Sequence, residues 1–242
     1  MSLRKLANRF RARRAGLVSP PLADGHDEVI TAGGARELYH SRFNPAWFGE
    51  LGIAPKVIVD LGSFDGGDAF RFARAFPDCR VVTVEADPQR FALVSNNLAG
   101  ERVEVLNCAA CATDGPVDWH PATIDGEVYG QGSLYAHTDT YRSRFSHVAQ
   151  QAATQVEGRR FDTLCARLGI TAIDLLHMDI EGAEAAVLSS VGSVRPTLIY
   201  MEFSKGYFAG APDGRATHRR LEELGYRMVL DLSSDRLYLR AR

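Results

Sequence analysis

Apolar and polar positions alternate in blocks along most of this chain. "KVIVDLG", "CRVVTVEA", "RVEVLNCAA", "IDLLHMD" and "PTLIYMEF" are short, nearly continuous apolar runs of strand length. Between and after them, "GDAFRFARAF", "PQRFALVSNNLAG", "RRFDTLCARLG", "EAAVLSSVG" and "ATHRRLEELG" carry helix patterns, as with Phe70, Ala73 and Phe76. Strands that are apolar on both faces and alternate with helices predict a parallel sheet covered on both sides. Right-handed crossovers then bring every strand's C-terminal end to one edge of the sheet. "YRMVLDL" and "RLYLRAR", separated by "SSD", predict a closing antiparallel hairpin. The expected fold is α/β, a doubly wound, mostly parallel seven-stranded sheet.

The flanking segments are less regular. Residues 1–50 read as a basic arm and a helical lead-in, and 51–242 as the α/β domain. In the arm, Arg4, Lys5, Arg9, Arg11, Arg13 and Arg14 precede any acid, while Leu3, Leu6, Phe10 and Leu17 fall near one helical face. The pattern allows a solvated arm, or a basic amphipathic helix making weak contact with an anionic membrane surface or an acidic partner. "GHDEVITAGGARELYHSRFNPAWFGELGIAP" reads as short helices and loops. Residues 121–158 read as a long polar lid over an acceptor, with Tyr135, His137, Tyr141 and Arg144 shaping its pocket and His147 a further base candidate.

Composition narrows the class. The chain has 242 residues, 45% of them hydrophobic and 24% charged, which suits one α/β domain with embellishments. A net charge of −2 gives no overall attraction to nucleic acid. No apolar run reaches membrane-span length, and the N-terminus lacks the apolar core of a signal peptide. The four cysteines suit a reducing compartment, so a cytoplasmic protein without stable membrane insertion is expected, and a homo-oligomer is compatible. Cys108 and Cys111, in "CAAC", do not open a helix and lack further zinc ligands at suitable spacing; they read as small buried thiols.

The chemistry gathers where the first core strand turns into its helix. "DLGSFDGG" has the spacing D-x-G-x-x-x-G, unlike the G-x-G-x-x-G turn that holds a dinucleotide pyrophosphate. Asp65 and Asp68 would repel a diphosphate there and favour a ligand with sulfonium and ammonium charges, by about 1 kcal/mol per pair in water and more when desolvated. That favours S-adenosylmethionine. Glu85, at the tip of the second strand, suits the two ribose hydroxyls. The expected donor site therefore comprises Asp60, Gly62, Ser63, Phe64, Asp65, Gly66, Glu85, Ala86, Asn107, Cys108, Ala109 and Asp179. The competing reading of the acids is helix capping and loop solvation.

Two resemblances sharpen this. A parallel sheet ending in a hairpin resembles class I methyltransferases, which are Rossmann-like. "VIVDLGSFDGG", "VVTVEADPQRFALVSNNL" and "IDLLHMDIEGAEAAVLSS" together resemble the FkbM-type methyltransferases, most specifically at Asp60–Gly66, Glu85–Pro88 and Asp179–Glu184. The resemblance implies S-adenosylmethionine as donor and O-methylation of a small or sugar-like acceptor, with Asp179 and Glu181 as catalytic candidates. Either carboxylate can serve as base, or the pair can hold a divalent cation such as magnesium. His177, where the family usually carries lysine, points to the same side of its strand as Asp179 and is a third catalytic candidate. A nucleic-acid methyltransferase, a nicotinamide-dependent oxidoreductase and a non-catalytic donor-binding scaffold are the rivals. The first is disfavoured because "MDIEG" stands where an N-P-P-aromatic run is expected.

Overall fold

The computed structural model describes residues 12–203 and 206–241. The expectations placed on Arg4, Lys5, Arg9, Arg11, Leu3, Leu6 and Phe10 lie outside the described residues.

The core is the predicted sheet. Its strands are β3 (Val57–Leu61), β4 (Arg80–Glu85), β5 (Val103–Asn107), β11 (Leu175–Met178), β12 (Leu198–Glu202), β13 (Tyr226–Asp231) and β14 (Asp235–Arg240). They lie in the order β13-β14-β12-β11-β3-β4-β5, with parallel pairing from β12 through β5 and antiparallel pairing at β14. The order reverses beside β3, so β3 and β11 diverge from neighbouring crossovers and leave a crevice at their C-terminal ends. The architecture is the class I methyltransferase, Rossmann-like layout.

Side-chain alternation divides the core into two layers. Val59, Leu61, Val82, Val84, Leu176, Met178, Ile199 and Met201 pack with α5 (Phe161–Arg167), α6 (Glu184–Ser189) and α7 (Gly214–Glu223). Ile58, Val81, Leu175, Leu198 and Tyr200 pack with α1 (Ala46–Glu50), α2 (Gly67–Ala75) and α3 (Pro88–Asn97). All four cysteines are buried and free, and burial pushes the Cys108 thiol up to about 11, as expected of inert packing groups.

Three expectations are corrected. The lead-in is chiefly a β-hairpin, with β1 (Gly25–Thr31) and β2 (Gly34–His40) joined through Ala32-Gly33, followed by the short α1. Its alternation was hidden because much of β1 is exposed, including the apolar Ile30 at 78%. Second, "RVEVLNCAA" is not one strand. β5 stops at Asn107, and β6 (Ala109–Cys111) joins another sheet.

Third, residues 121–158 are not an open loop. β7 (Gly115–Ile124), β8 (Glu127–Ser133), β9 (Ala149–Gln150) and β10 (Thr154–Arg160) form a sheet with β6 in the order β6-β10-β7-β8, with β9 on β7. Between β8 and β9 lies α4 (Asp139–Arg144), begun by Thr138, whose hydroxyl accepts from the Tyr141 N–H. Among the described residues, no helix is long and apolar enough to cross a membrane.

Candidate active site

β3 ends at Leu61 and the chain reverses through Gly62, whose φ of +88° and close packing admit no side chain. A Cβ there would lie 1.8 Å from the Asp179 carbonyl oxygen, so the turn and the end of β11 touch backbone to backbone. A cleft opens above this contact, enclosing about 980 Å³ of space including its mouth. Among the candidate residues, Gly62, Phe64, Glu85, Ala86, Cys108, Ala109, Asp179 and Glu181 line it. Phe64 (φ +55°) and Glu181 (φ +49°) are non-glycine residues in the left-handed region, and both face this cleft. Such strain costs roughly 1–3 kcal/mol per residue and persists where surrounding contacts impose it. At Glu181 the Ser133 hydroxyl donates to the backbone carbonyl at 2.7 Å.

Glu85 is buried at the tip of β4. Its two carboxylate oxygens accept from the Asp87 N–H at 2.9 Å and the Phe64 N–H at 3.2 Å. Burial raises its pKa to about 7, against the pull of the Asp87 N–H and the Arg90 charge. Each oxygen keeps a lone pair for a ligand hydroxyl. Burial likewise raises Asp179 to about 7 despite the nearby His177 charge, with Asp235, Asp68 and Asp60 adding repulsion. Glu181 is raised well above the carboxylate range by burial and by Asp179 and Glu184.

Five residues of the predicted donor site, and Asp68 with them, stand outside the cleft lining. Asp60 is buried beneath it, accepting from the Thr83 hydroxyl at 2.6 Å and lying 2.6 Å from His177 Nδ1. Ser63 turns inward to hydrogen-bond Thr83. Asp65 accepts from the backbone N–H groups of Tyr39 and Gly67, and Asp68 from the N–H and hydroxyl of Ser41. Asp65 thus ties the hairpin to the first N–H of α2, and Asp68 holds Ser41 just after the hairpin, so the negative lining comes from Glu85, Asp179 and Glu181 instead. Gly66 supplies the left-handed start of α2, and a Cβ there would press on Leu98 at 3.0 Å. Asn107 is exposed and donates to the carbonyls of Glu85 and Ala86.

His177 is a correction as a base candidate. It shares the face of Leu175, pairs laterally with Asp60 and Tyr200, and is only 3% exposed between Tyr200 and Phe72. The proposed acceptor wall is also displaced. Tyr141 and His137 stack at 3.7 Å within a separate cluster that includes Tyr135, Tyr207 and Phe208, Arg144 lies over Phe145, and His147 is exposed; none lines the cleft.

The lining that sequence reasoning missed comes from the two unexpected β elements. His26 and Tyr39 arrive from the hairpin, and Trp119, Tyr129, Gln131 and Leu134 from β7, β8 and the residue after it. The legible signal was "GQG". A Cβ on Gly130 would strike the Phe64 ring at 2.0 Å, and one on Gly132 the Trp119 ring at 2.5 Å, so these glycines seat cleft aromatics. Trp119 also donates its indole N–H to Asp87, the N-cap of α3, at 3.2 Å. Among the described residues, no three His, Cys, Asp or Glu side chains are placed to hold a metal ion. Asp179 and Glu181 are thus two carboxylates without a third such side chain among the described residues placed to complete a metal site.

The model of the methyltransferase FkbM domain matches residues 60–228, from the buried Asp60 to within β13. The chain belongs to the FkbM methyltransferase family. A curated relative, 2-O-methyltransferase NoeI of Sinorhizobium fredii, is 30% identical over 153 residues. That match covers 61% of this chain and 63% of NoeI, so the chain spans less than two thirds of the relative's length. Among solved structures, a TehB-like SAM-dependent methyltransferase from Corynebacterium glutamicum matches with a TM-score of 0.43 at 9% identity, covering 98% of this chain and 97% of that one. A putative O-methyltransferase from Klebsiella pneumoniae matches with a TM-score of 0.39 at 16% identity, covering 77% and 74%.

Proposed function

We propose that this FkbM-family protein transfers a methyl group from S-adenosylmethionine to a hydroxyl of a small, sugar-like molecule. The observation that carries the reading is the joining of Glu85, Asp179 and Glu181 in one cleft at the switch point of the sheet. Gly62 and Phe64 would hold the donor through backbone approach and Glu85 through its free lone pairs, while Ala86, Cys108, Ala109 and Trp119 would enclose the base. When bound, that donor supplies an electrophilic methyl group. Its positive charge suits a lining in which Glu85 and Asp179 ionise around neutral pH and which contains neither lysine nor arginine among the described residues.

Asp179 is the base in this reading. With a pKa near 7, it is substantially deprotonated at neutral pH yet basic enough to accept the proton of an attacking hydroxyl. Glu181, whose protonated form is favoured by burial and by the neighbouring Asp179 and Glu184, would donate a hydrogen bond that orients the acceptor oxygen. The name of the relative supports oxygen as the methylated atom.

The test is transfer of labelled methyl from S-adenosylmethionine to a panel of free and nucleotide-linked sugars and to a metabolite extract. An alkali-stable, ether-linked label that vanishes in Asp179→Asn, with cofactor binding retained, supports the reading. Donor binding without transfer to any component would leave a binding protein in its place.

A further inference from the structure

Tyr39 reaches the cleft from outside the family-matched segment, which begins at Asp60. Its backbone is tightly fixed. The Tyr39 N–H donates to Asp65 at 2.9 Å, and a Cβ on Gly67 would lie 1.7 Å from the Tyr39 carbonyl oxygen. Its hydroxyl donates to Asp24 at 2.5 Å, which fixes the ring as well. The ring stands edge-to-face with Phe64, with centroids 5.6 Å apart and planes at 81°, and with His26 at 5.5 Å and 67°. Phe64 meets Tyr129 in the same manner at 5.6 Å and 79°. Four rings from three separate elements thus surround one end of a cleft whose charged lining is otherwise carboxylate.

Rings packed edge to face, in a cleft that also holds acids, form a surface suited to a cation without a hydrogen to donate. An aromatic face attracts positive charge through its quadrupole, with no need of an N–H or O–H on the ligand. A sulfonium is such a cation. A thioether of nearly the same shape is not.

We propose that the hairpin completes the donor site, with Tyr39 presenting an aromatic surface, braced by Phe64 and His26, that recognises the sulfonium charge of S-adenosylmethionine. This rests on the donor assignment made above and goes beyond it. It makes Tyr39 a specificity-determining residue that separates charged donor from neutral product, S-adenosylhomocysteine. Loss of the charge on transfer removes the attraction and favours product exchange.

Calorimetric titration of both ligands into the full chain tests this, with the ratio of their dissociation constants as the readout. Tyr39→Phe keeps the ring and should hold the ratio within about twofold, whereas Tyr39→Leu should cut the preference for donor over product by roughly 2- to 30-fold. A shape-matched comparison guards against misfolding: trifluorophenylalanine at this position, against Tyr39→Phe, should weaken the donor and leave the product unchanged. Equal weakening of both ligands, or an unchanged ratio across the series, would overturn the role of Tyr39 while leaving the donor assignment intact. If the unaltered protein binds neither ligand, the donor assignment itself fails and this inference with it.

Discussion

His177 Nδ1 lies 2.6 Å from Asp60 Oδ1, and both residues are buried, on adjacent parallel strands in direct register. The pair belongs to a lateral row, Tyr200–His177–Asp60–Thr83, that crosses four strands beneath the cleft. Burial alone would make His177 harder to protonate, but the hydrogen bond to Asp60 and the charges of Asp68, Asp60 and Asp179 outweigh it and raise its pKa to about 9. The pairing with Asp60 therefore favours the imidazolium form of His177 at neutral pH.

Because the folded-state pKa of His177 lies above its ordinary 6.5, its stabilising contribution is complete below that value and is lost as pH rises through about 9. Proton-detected titration of the imidazole should show a midpoint near 9. Asp60→Asn should bring that midpoint down and cost about 3–5 kcal/mol, the usual result of removing one partner from a buried pair. A midpoint near 6.5 in the unaltered protein would refute the imidazolium assignment.

Glu184 reports the opposite end of the pH range. It is 2% exposed, its carboxyl accepts from the N–H groups of Ile180 and Gly182 at 3.4 Å, and burial with Asp179 nearby raises it from an ordinary 4.5 to about 7. A raised carboxyl favours the folded state below the ordinary value and loses that advantage up to the folded one, so ligand-free stability should fall as pH rises from about 4.5 to about 7. Glu184→Gln keeps an acceptor and removes one titration. Denaturant unfolding should show a shallower decline and greater stability at pH 8 for this variant.

Gly67 is where the hairpin meets the core. Gly67→Ala would drive a methyl group into the Tyr39 carbonyl, so the hairpin must move away. Hydrogen exchange should speed up across residues 25–40 while the amides of β3, β4 and β11 stay protected. Uniform protection would show that the contact yields without consequence.

Activity should divide between two carboxylates. Glu85→Ala should weaken donor binding by about one to two powers of ten, since it removes two backbone anchors together with the ribose acceptor. Asp179→Asn should lower turnover by about two to four powers of ten with a small change in product affinity, as expected for loss of a general base. Calorimetry and single-turnover assays on both variants separate the effects.

The sequence announced the parallel core because its strands are apolar on both faces, and it announced Gly62, Glu85 and Asp179 because turn and strand-tip positions carry their own chemistry. It did not announce which acids face the ligand. Asp65 and Asp68 lie within four residues of Phe64, yet their carboxylates bind Tyr39 and Ser41, partners 26 or more residues away in the chain. The hairpin itself was obscured because half of its strand residues are exposed and they carry little apolar alternation. His177 looked like a base because period-two alternation placed it on the side of Asp179, but that side is the buried α2 layer at residue 177.

The most direct measurement is titration of the purified protein with S-adenosylmethionine, and separately with NADH, by isothermal calorimetry. Saturable binding of one S-adenosylmethionine per chain in the micromolar range, weakened by Glu85→Ala, with no heat from NADH, is the predicted result. Binding of the dinucleotide with no response to S-adenosylmethionine would contradict the assignment of the cleft.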